Sequence, residues 1–568
     1  MADRLDLDEL RELVAKELER WRAPGLELAV VLDGEVVTAE GFGLRDLAAG
    51  LPVTPHTLFH HGSTGKAFTS FLVGTLVDEG LLGWDRPVRE YIPDLAFGDE
   101  AIGSRVTVRD LLSHRSGLPR HEWVWLANPG WPRSELVRRL RHLEMSRDLR
   151  QSFQYSNLGY VAAGYLAGQV AGSDWETSMD ERVFAPLGMS RTLTSVERAR
   201  SSDDFARPYA LVDGEVRALP YRPSDPIAPA GQVLSCAQDM ARWLLCHTTD
   251  GSGAISPGAL REMHTVQMGT GPALDNPSMP HIRFHGYGLG WVVGTYRGQD
   301  WVFHNGAMDG FRTEMAVLPS VRAGVVVCAN FTHTSGLPFA LLQHVMDRIL
   351  ALEPGPWLDE AFERDARMRE AEQGTEQARE ARKVPGTEPA HPLESYAGRY
   401  DHDGYGSLHV TVGGDRLAVR LGEIDMAASH RHFDTWDLRY EPLNHASTLT
   451  FLTHPDGEVS EAWVPLESQT PPIRFRRAAD GRLRDPGFLS GLAGRYAMGP
   501  VTLDLTQAEG VLKAQVAGQP ALELEPSVGL SFVPKGLPAP RLSFTLREDG
   551  RAGELFVEPG GLFTRVDP

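Results

Sequence analysis

The chain has 568 residues with 42% hydrophobic and 23% charged side chains and a net charge of -20. That size leaves room for roughly two to four domains with a large core, and the acidic balance supplies no basic stripe for phosphate contacts, so nucleic acid is not an expected partner. No run of about 18 apolar residues occurs, so no membrane span is expected. Met1-Ala2-Asp3-Arg4-Leu5-Asp6 has neither a basic start nor an apolar stretch, and a cytoplasmic location without a signal peptide is expected. Cys236, Cys246 and Cys328 are few and odd in number, which implies no disulfide framework.

In chain order, Leu5, Leu10, Leu13, Val14, Leu18 and Trp21 stand at helical spacing. Pro24-Gly25 ends that helix. Two β-rich runs, Leu26–Leu32 and Glu35–Ala39, flank Asp33-Gly34, a tight hairpin turn. Helical patterns follow near 64–80, 134–143, 158–171 and 236–246, then strand-like runs at 289–304 and 312–329 and a helical pattern at 338–352. This order predicts an α+β domain in which the early hairpin and the late strands share one antiparallel sheet. The stretch from Asp359 to Lys383 is dense in Glu, Arg and Ala and reads as a solvated helix, and Val384–Pro389 reads as a linker. Beyond it Tyr396-Ala397-Gly398-Arg399-Tyr400 recurs 96 residues later as Leu492-Ala493-Gly494-Arg495-Tyr496, each copy followed by alternating strand patterns. Two small antiparallel β-barrels are expected. The predicted boundaries are 1–352, a charged helix and linker at 353–392, and barrels at 393–485 and 486–568.

The chain holds only five lysines, and Lys66 is the sole one between residues 17 and 382. It lies three residues after Ser63, a spacing that puts both side chains on one helical face. Arginine stays protonated, whereas a buried lysine can lose its proton and serve as base to a serine hydroxyl. A second segment, Gln154-Tyr155-Ser156-Asn157, sets a phenol beside an amide before the helix at 158. The phenol can relay a proton if a nearby cation lowers its pKa. The amide can hold a substrate carbonyl and bond Lys66. A third segment, His304-Asn305-Gly306-Ala307, ends a strand-like run, where the glycine would let a ligand approach the backbone. The amides of Ser63 and Ala307 are candidates for an oxyanion hole.

Ser63-x-x-Lys66, Tyr155-x-Asn157 and His304-x-Gly306, in this order, resemble the serine β-lactamase and penicillin-binding-protein superfamily. The tyrosine and histidine are similar to the branch holding class C β-lactamases and peptidase family S12. Leu111–Pro119, Ala230–Ser235 with Asp239-Met240-Ala241, and Leu81-Leu82 through Asp85–Val88 carry the same resemblance, which covers about residues 8–350. His60-His61 and His-Asn-Gly in place of Lys-Thr-Gly depart from the pattern. The resemblance implies that Ser63 is acylated, that Lys66 and Tyr155 handle its proton, that Asn157 positions the substrate amide, and that His304 supports Tyr155 or the leaving group electrostatically.

The twin β domains resemble those of the D-stereospecific aminopeptidases and D-amino-acid amidases. They imply hydrolysis of peptides, amides or esters with a preference for D-configured acyl groups. In that group a loop of the last domain reaches the site, for which Gly529–Arg541 is the candidate. Acyl transfer or peptide cyclisation is the first alternative, and a non-catalytic acyl-binding protein the second. Trp123, with Trp125 and Trp131, could wall an acceptor channel, Arg312 is a candidate substrate-carboxylate contact, and His114, His121, His281 and His285 read as loop residues. No metal-ligand spacing and no cofactor fingerprint is found. A small peptide, amide or ester is the expected partner, and the oligomeric state stays open, a homodimer included.

Overall fold

The hairpin predicted around Asp33-Gly34 lies towards one edge of the main sheet. In the computed structural model, which describes residues 5–566 other than 213, 272–278, 333–335, 444, 455–456, 538 and 548, strands β1 (Gly25–Leu32) and β2 (Glu35–Asp46) pair across it. Asp33 and Gly34 take φ of 53° and 86°, as a type I′ turn requires. A short β3 (Leu51–Pro52) caps one edge, and the late strands join on the other side: β4 (Ile282–Tyr287), β5 (Val292–Tyr296), β6 (Gln299–Met308), β7 (Phe311–Leu318) and β8 (Ala323–Ala329). The order β3-β2-β1-β8-β7-β6-β5-β4 makes one eight-stranded antiparallel sheet.

This sheet is covered on both faces. On one lie α1 (Leu7–Trp21), capped by Asp6, and a late helix, Gly336–Ile349, packed on Leu26, Leu28, Val30, Val325 and Val327. The other face meets the helical part of the unit, including α2 (Gly65–Asp78), α3 (Asn157–Ala171) and α4 (Ala237–Thr248); the late helix is α5. Because β1 is sandwiched, its residues are buried on both sides, Glu27 among them. The helix α2 is buried almost all round, the pattern of an apolar helix threaded through a core.

The charged stretch after 353 differs from expectation. It forms a helix, α6 (Trp357–Glu380), whose first turns are anchored rather than solvated. Phe362 meets Trp21 edge-on at 5.2 Å, Ala361 is buried, and Trp357 donates to the Asp347 carboxylate at 2.8 Å. The first compact unit therefore runs on to Ala381.

The second unit, Arg382–Pro568, holds two closed eight-stranded antiparallel barrels, Gly398–Arg477 and Gly494–Arg565 by their first and last strand residues. The repeated motif does the same job in each. Tyr400 donates to the Tyr396 carbonyl at 2.9 Å and Tyr496 to the Leu492 carbonyl at 2.7 Å. The last strand closes each barrel through an arginine, Arg477 to Ala397 O and Arg565 to Ala493 O. The segment Gly529–Arg541 is built into the second barrel: Ser531–Pro534 is a barrel strand, and Gly529 bonds Ala478 and Asp480. Pro538 lies outside the described residues.

Candidate active site

Ser63 sits in a tight helical turn, Gly62–Thr64, that leads directly into α2. Two glycines set this turn against β6. Gly62 has φ of 56°, and a Cβ there would stand 2.6 Å from the Ala307 nitrogen. A Cβ on Gly306 would lie 1.9 Å from the His61 carbonyl oxygen. Gly306 thus admits the nucleophile's own backbone, where the sequence reading expected a ligand. The contact brings the Ala307 amide to the Ser63 turn. The Ser63 amide belongs to a first helical turn, which has no intrahelical acceptor, so both N–H groups can meet a developing oxyanion.

Lys66 is fully buried. Its Nζ donates to Asn157 Oδ1 at 2.7 Å and to the Ala230 carbonyl at 2.6 Å, and lies 3.1 Å from Ser63 Oγ. Two of these partners can only accept. In the neutral amine they take both N–H groups, and the lone pair is left for the Ser63 hydroxyl. Burial drives the Lys66 pKa well below the ordinary 10.5; the Glu122 carboxylate pulls it back up, and Arg120 adds to the fall.

Asn157 opens α3 and is oriented from behind. Its Nδ2 donates to both oxygens of Glu122 at 3.0 and 3.1 Å, so Oδ1 must face Lys66. Glu122 is in turn held by the Trp125 indole at 2.9 Å and by Arg120 at 3.3 Å. The sequence reading missed Glu122, since no local spacing ties it to Asn157, 35 residues away. The Ala230 carbonyl was covered by a quoted motif, but without a role.

Tyr155 places its ring 4.8 Å from Lys66 Nζ. Burial raises its phenol well above 10, against a hydrogen bond with Ser63 and the charge of Arg120. A nearby cation, Arg120, does act to lower this pKa, but burial outweighs it, so Tyr155 is a neutral phenol. His114, read as a loop residue, is buried behind it at 4.3 Å between ring centres, with a φ of 57°. Its Nδ1 accepts the Ser156 N–H at 3.0 Å and so fixes the Tyr155 segment.

His304 reaches the same cluster, 6.4 Å from Tyr155 by ring centres. Its Nδ1 stands 2.6 Å from its neighbour's carbonyl, Asn305 O, and Nε2 2.8 Å from the Tyr287 hydroxyl. A carbonyl only accepts, so Nδ1 carries the proton and Nε2 accepts from Tyr287. Burial, with the Lys66 charge adding to it, pushes His304 down to about 3. It is a neutral ring and lends no positive charge to a leaving group.

Two expected contacts lie elsewhere. Arg312 pairs with Ala307 and Glu314 with Asn305, while His304 and Gly306 pair with Met315 and Thr313. Paired residues share a face, so Arg312 points to the α5 side, away from Lys66. Burial lowers its pKa, and the charges of Glu314, Asp309 and Asp365 restrain the fall. Trp123 is buried at 3% exposure and Trp125 at 8%. Trp125 donates its indole N–H to Glu122, and Trp131 is only partly buried.

A serine, a buried amine 3.1 Å from its hydroxyl, and two backbone amides brought together beside it have the makings of a serine acyl-enzyme site. The comparisons agree. The family model described as Beta-lactamase matches residues 10–346, and the chain belongs to that family, the serine hydrolases of β-lactamase and penicillin-binding-protein type. A model described as a domain of unknown function (DUF3471) matches residues 382–477. The chain is 33% identical over 508 residues to unguisins hydrolase ungD' of Aspergillus campestris, covering 86% of this chain and 90% of that protein. It is 31% identical to unguisins hydrolase ungD of Aspergillus violaceofuscus, over 72% of this chain and 77% of that one. Among solved structures, the octameric penicillin-binding protein homologue from Pyrococcus abyssi shares the fold, with TM-score 0.54 and 23% identity, covering 83% of this chain and 100% of that chain. No helix among the described residues is long and apolar enough to cross a membrane.

Proposed function

We propose that the protein hydrolyses an amide bond of a small peptide, in the cytoplasm, through an acyl-Ser63 intermediate, and that it prefers a D-configured residue on the acyl side. The observation that carries the reaction is the third position of Lys66 Nζ, directed at Ser63 Oγ at 3.1 Å while its two other positions are taken by acceptors. Ser63 Oγ attacks the carbonyl carbon and its proton passes to Lys66. The oxyanion rests on the Ser63 and Ala307 amides. Lys66 returns the proton through the neutral Tyr155 hydroxyl to the leaving nitrogen, the C–N bond breaks, and water repeats the sequence to release Ser63. The peptide substrate is supported by the likeness to two hydrolases named for unguisins. The D preference rests on the twin-barrel organisation, which resembles that of D-aminopeptidases and D-amino-acid amidases.

The test is a panel of D- and L-aminoacyl amides, p-nitrophenyl esters, and linear and cyclic peptides, with intact-mass detection of the acyl-enzyme. A D-over-L ratio in kcat/KM above about tenfold is expected. Equal rates would remove the stereopreference. Acyl transfer to an added amine outrunning hydrolysis would replace the hydrolase with a transferase. No adduct and no turnover from folded protein would remove the enzyme.

A further inference from the structure

A second cluster lies under the nucleophile turn and takes no part in the chemistry above. Glu27 on β1, His61 just before Gly62-Ser63, and Cys328 on β8 are each fully buried. One ligand atom from each, a carboxylate oxygen, a ring nitrogen and the sulfur, lies within 4.8 Å of the others. His61 Nε2 is 2.9 Å from Glu27 Oε1 and the Ala237 backbone N–H also bears on the Glu27 carboxylate, yet neither contact is well directed, and no well-directed hydrogen bond reaches either His61 nitrogen among the described residues. Fully buried polar atoms normally find well-directed partners, and here a carboxylate and an imidazole without them stand beside a thiol. The Thr313 hydroxyl donates to Cys328 Sγ at 3.0 Å, and the His60 carbonyl oxygen lies 4.0 Å from the same sulfur.

We propose that Glu27, His61 and Cys328 bind a borderline-soft divalent cation of the zinc class. The mixed O, N and S donor set suits zinc and disfavours magnesium or calcium, which take oxygen alone. On binding, the Cys328 thiol gives its proton to solvent and the thiolate ligates. With ionised Glu27 and neutral His61, the two negative ligands cancel the ion's charge, so the sealed site is neutral. Zinc bonds of about 2.0–2.1 Å to nitrogen and oxygen set tetrahedral ligands about 3.3 Å apart, so loading spreads the His61–Glu27 contact by a few tenths of an ångström. The ion would tie two central strands to the segment that presents Ser63. Sequence spacing could not reveal it, because the three residues are far apart in the chain.

The test is metal content by mass spectrometry of the full chain, purified without chelator from cells grown with added zinc. About one equivalent per chain is expected, falling at least tenfold in Cys328→Ala and Glu27→Gln. Protein grown with cobalt should show a thiolate-to-cobalt charge-transfer band; this reads the wild type alone, should the variants not fold. Folded wild type with under a tenth of an equivalent and no cobalt–thiolate band would overturn the proposal, leaving a Glu27–His61 ion pair. Undiminished metal in both variants would also overturn it, by placing the ion elsewhere.

Discussion

The two units of the chain spend their interiors differently. The first buries Lys66, Glu27, His60, His61, His114, His304 and Glu314 among its apolar core. The barrels bury mostly aliphatic and aromatic side chains; among their described residues the buried carboxylate, Asp437, is matched by Arg431 at 3.0 Å and Lys383 at 3.2 Å. Buried charge is costly and collects where it is used. The contrast locates reactivity in the first unit. The barrels repeat one fastening twice, Tyr400 with Arg477 and Tyr496 with Arg565, as expected of a duplicated scaffold.

The sharpest test of that contrast is at Ser63. Ser63→Ala should remove turnover by a factor on the order of 10⁶, leaving the circular dichroism spectrum and thermal transition nearly unchanged. Lys66→Arg keeps the charge and removes the base, and should cost about 10⁴ in kcat/KM, with acylation followed by intact mass. Retained activity in Lys66→Arg would move the base elsewhere. Since neutral Lys66 is the active form and its pKa is depressed, kcat/KM should rise with pH and level off below 10.5.

Acid should separate the units next. Burial holds His304 at about 3 and His264 at about 4, against an ordinary 6.5. The unfolded chain takes up protons there that the folded one refuses. Stability is therefore intact above pH 6.5 and is lost as pH falls towards 4 and then 3, by about 1.4 kcal/mol per pH unit for each group. No described histidine of the barrels is buried. Hydrogen exchange at pH 4.5 should show residues 5–381 losing protection before the barrels do. Simultaneous loss in both units would mean the contrast does not govern acid stability.

Glu122 tests the site's least legible part. Glu122→Ala strips Asn157 Nδ2 of its acceptor and should cost about 1–3 kcal/mol, or roughly 5- to 150-fold in kcat/KM. Glu122→Gln keeps an acceptor but removes the negative charge nearest Lys66, so the rising limb of the pH profile should move to lower pH. A limb that stays in place would show that Glu122 only orients Asn157.

Ser63 with Lys66 was legible because the pair is set by helical spacing, whereas Tyr155 with Asn157 gained weight only from the family resemblance, since Tyr155 lies in irregular backbone before α3. The barrels were legible because the motif repeats. Arg312 was misplaced because a side chain's face depends on strand register, and a shift of one residue reverses it. Ala307, its direct partner, lends the site a backbone amide while its side chain points to the other face. His114 and Glu122 depend on loops whose course no pattern announces, one of them turning through a φ of 57°. Strand β4 was missed although Ile282, Arg283, Phe284 and His285 alternate, because the pattern is only four residues long before a bulge between Phe284 and Gly286 ends it.

The smallest effect should come from the scaffold. Tyr400→Phe removes the hydroxyl that donates to Tyr396 O and leaves the ring in its core. The loss of one buried hydrogen bond costs about 1 kcal/mol, and Tyr496→Phe should match it in the second barrel because the geometry is repeated. The two sites are far apart in the chain and donate to different carbonyls, so the double variant should lose the sum, read as denaturant midpoints of the barrel transition. Ser63 labelling by a fluorophosphonate should proceed at the wild-type rate in all three. A slowed rate would mean that the barrels act on the nucleophile after all, and the division of labour between the units would have to be redrawn.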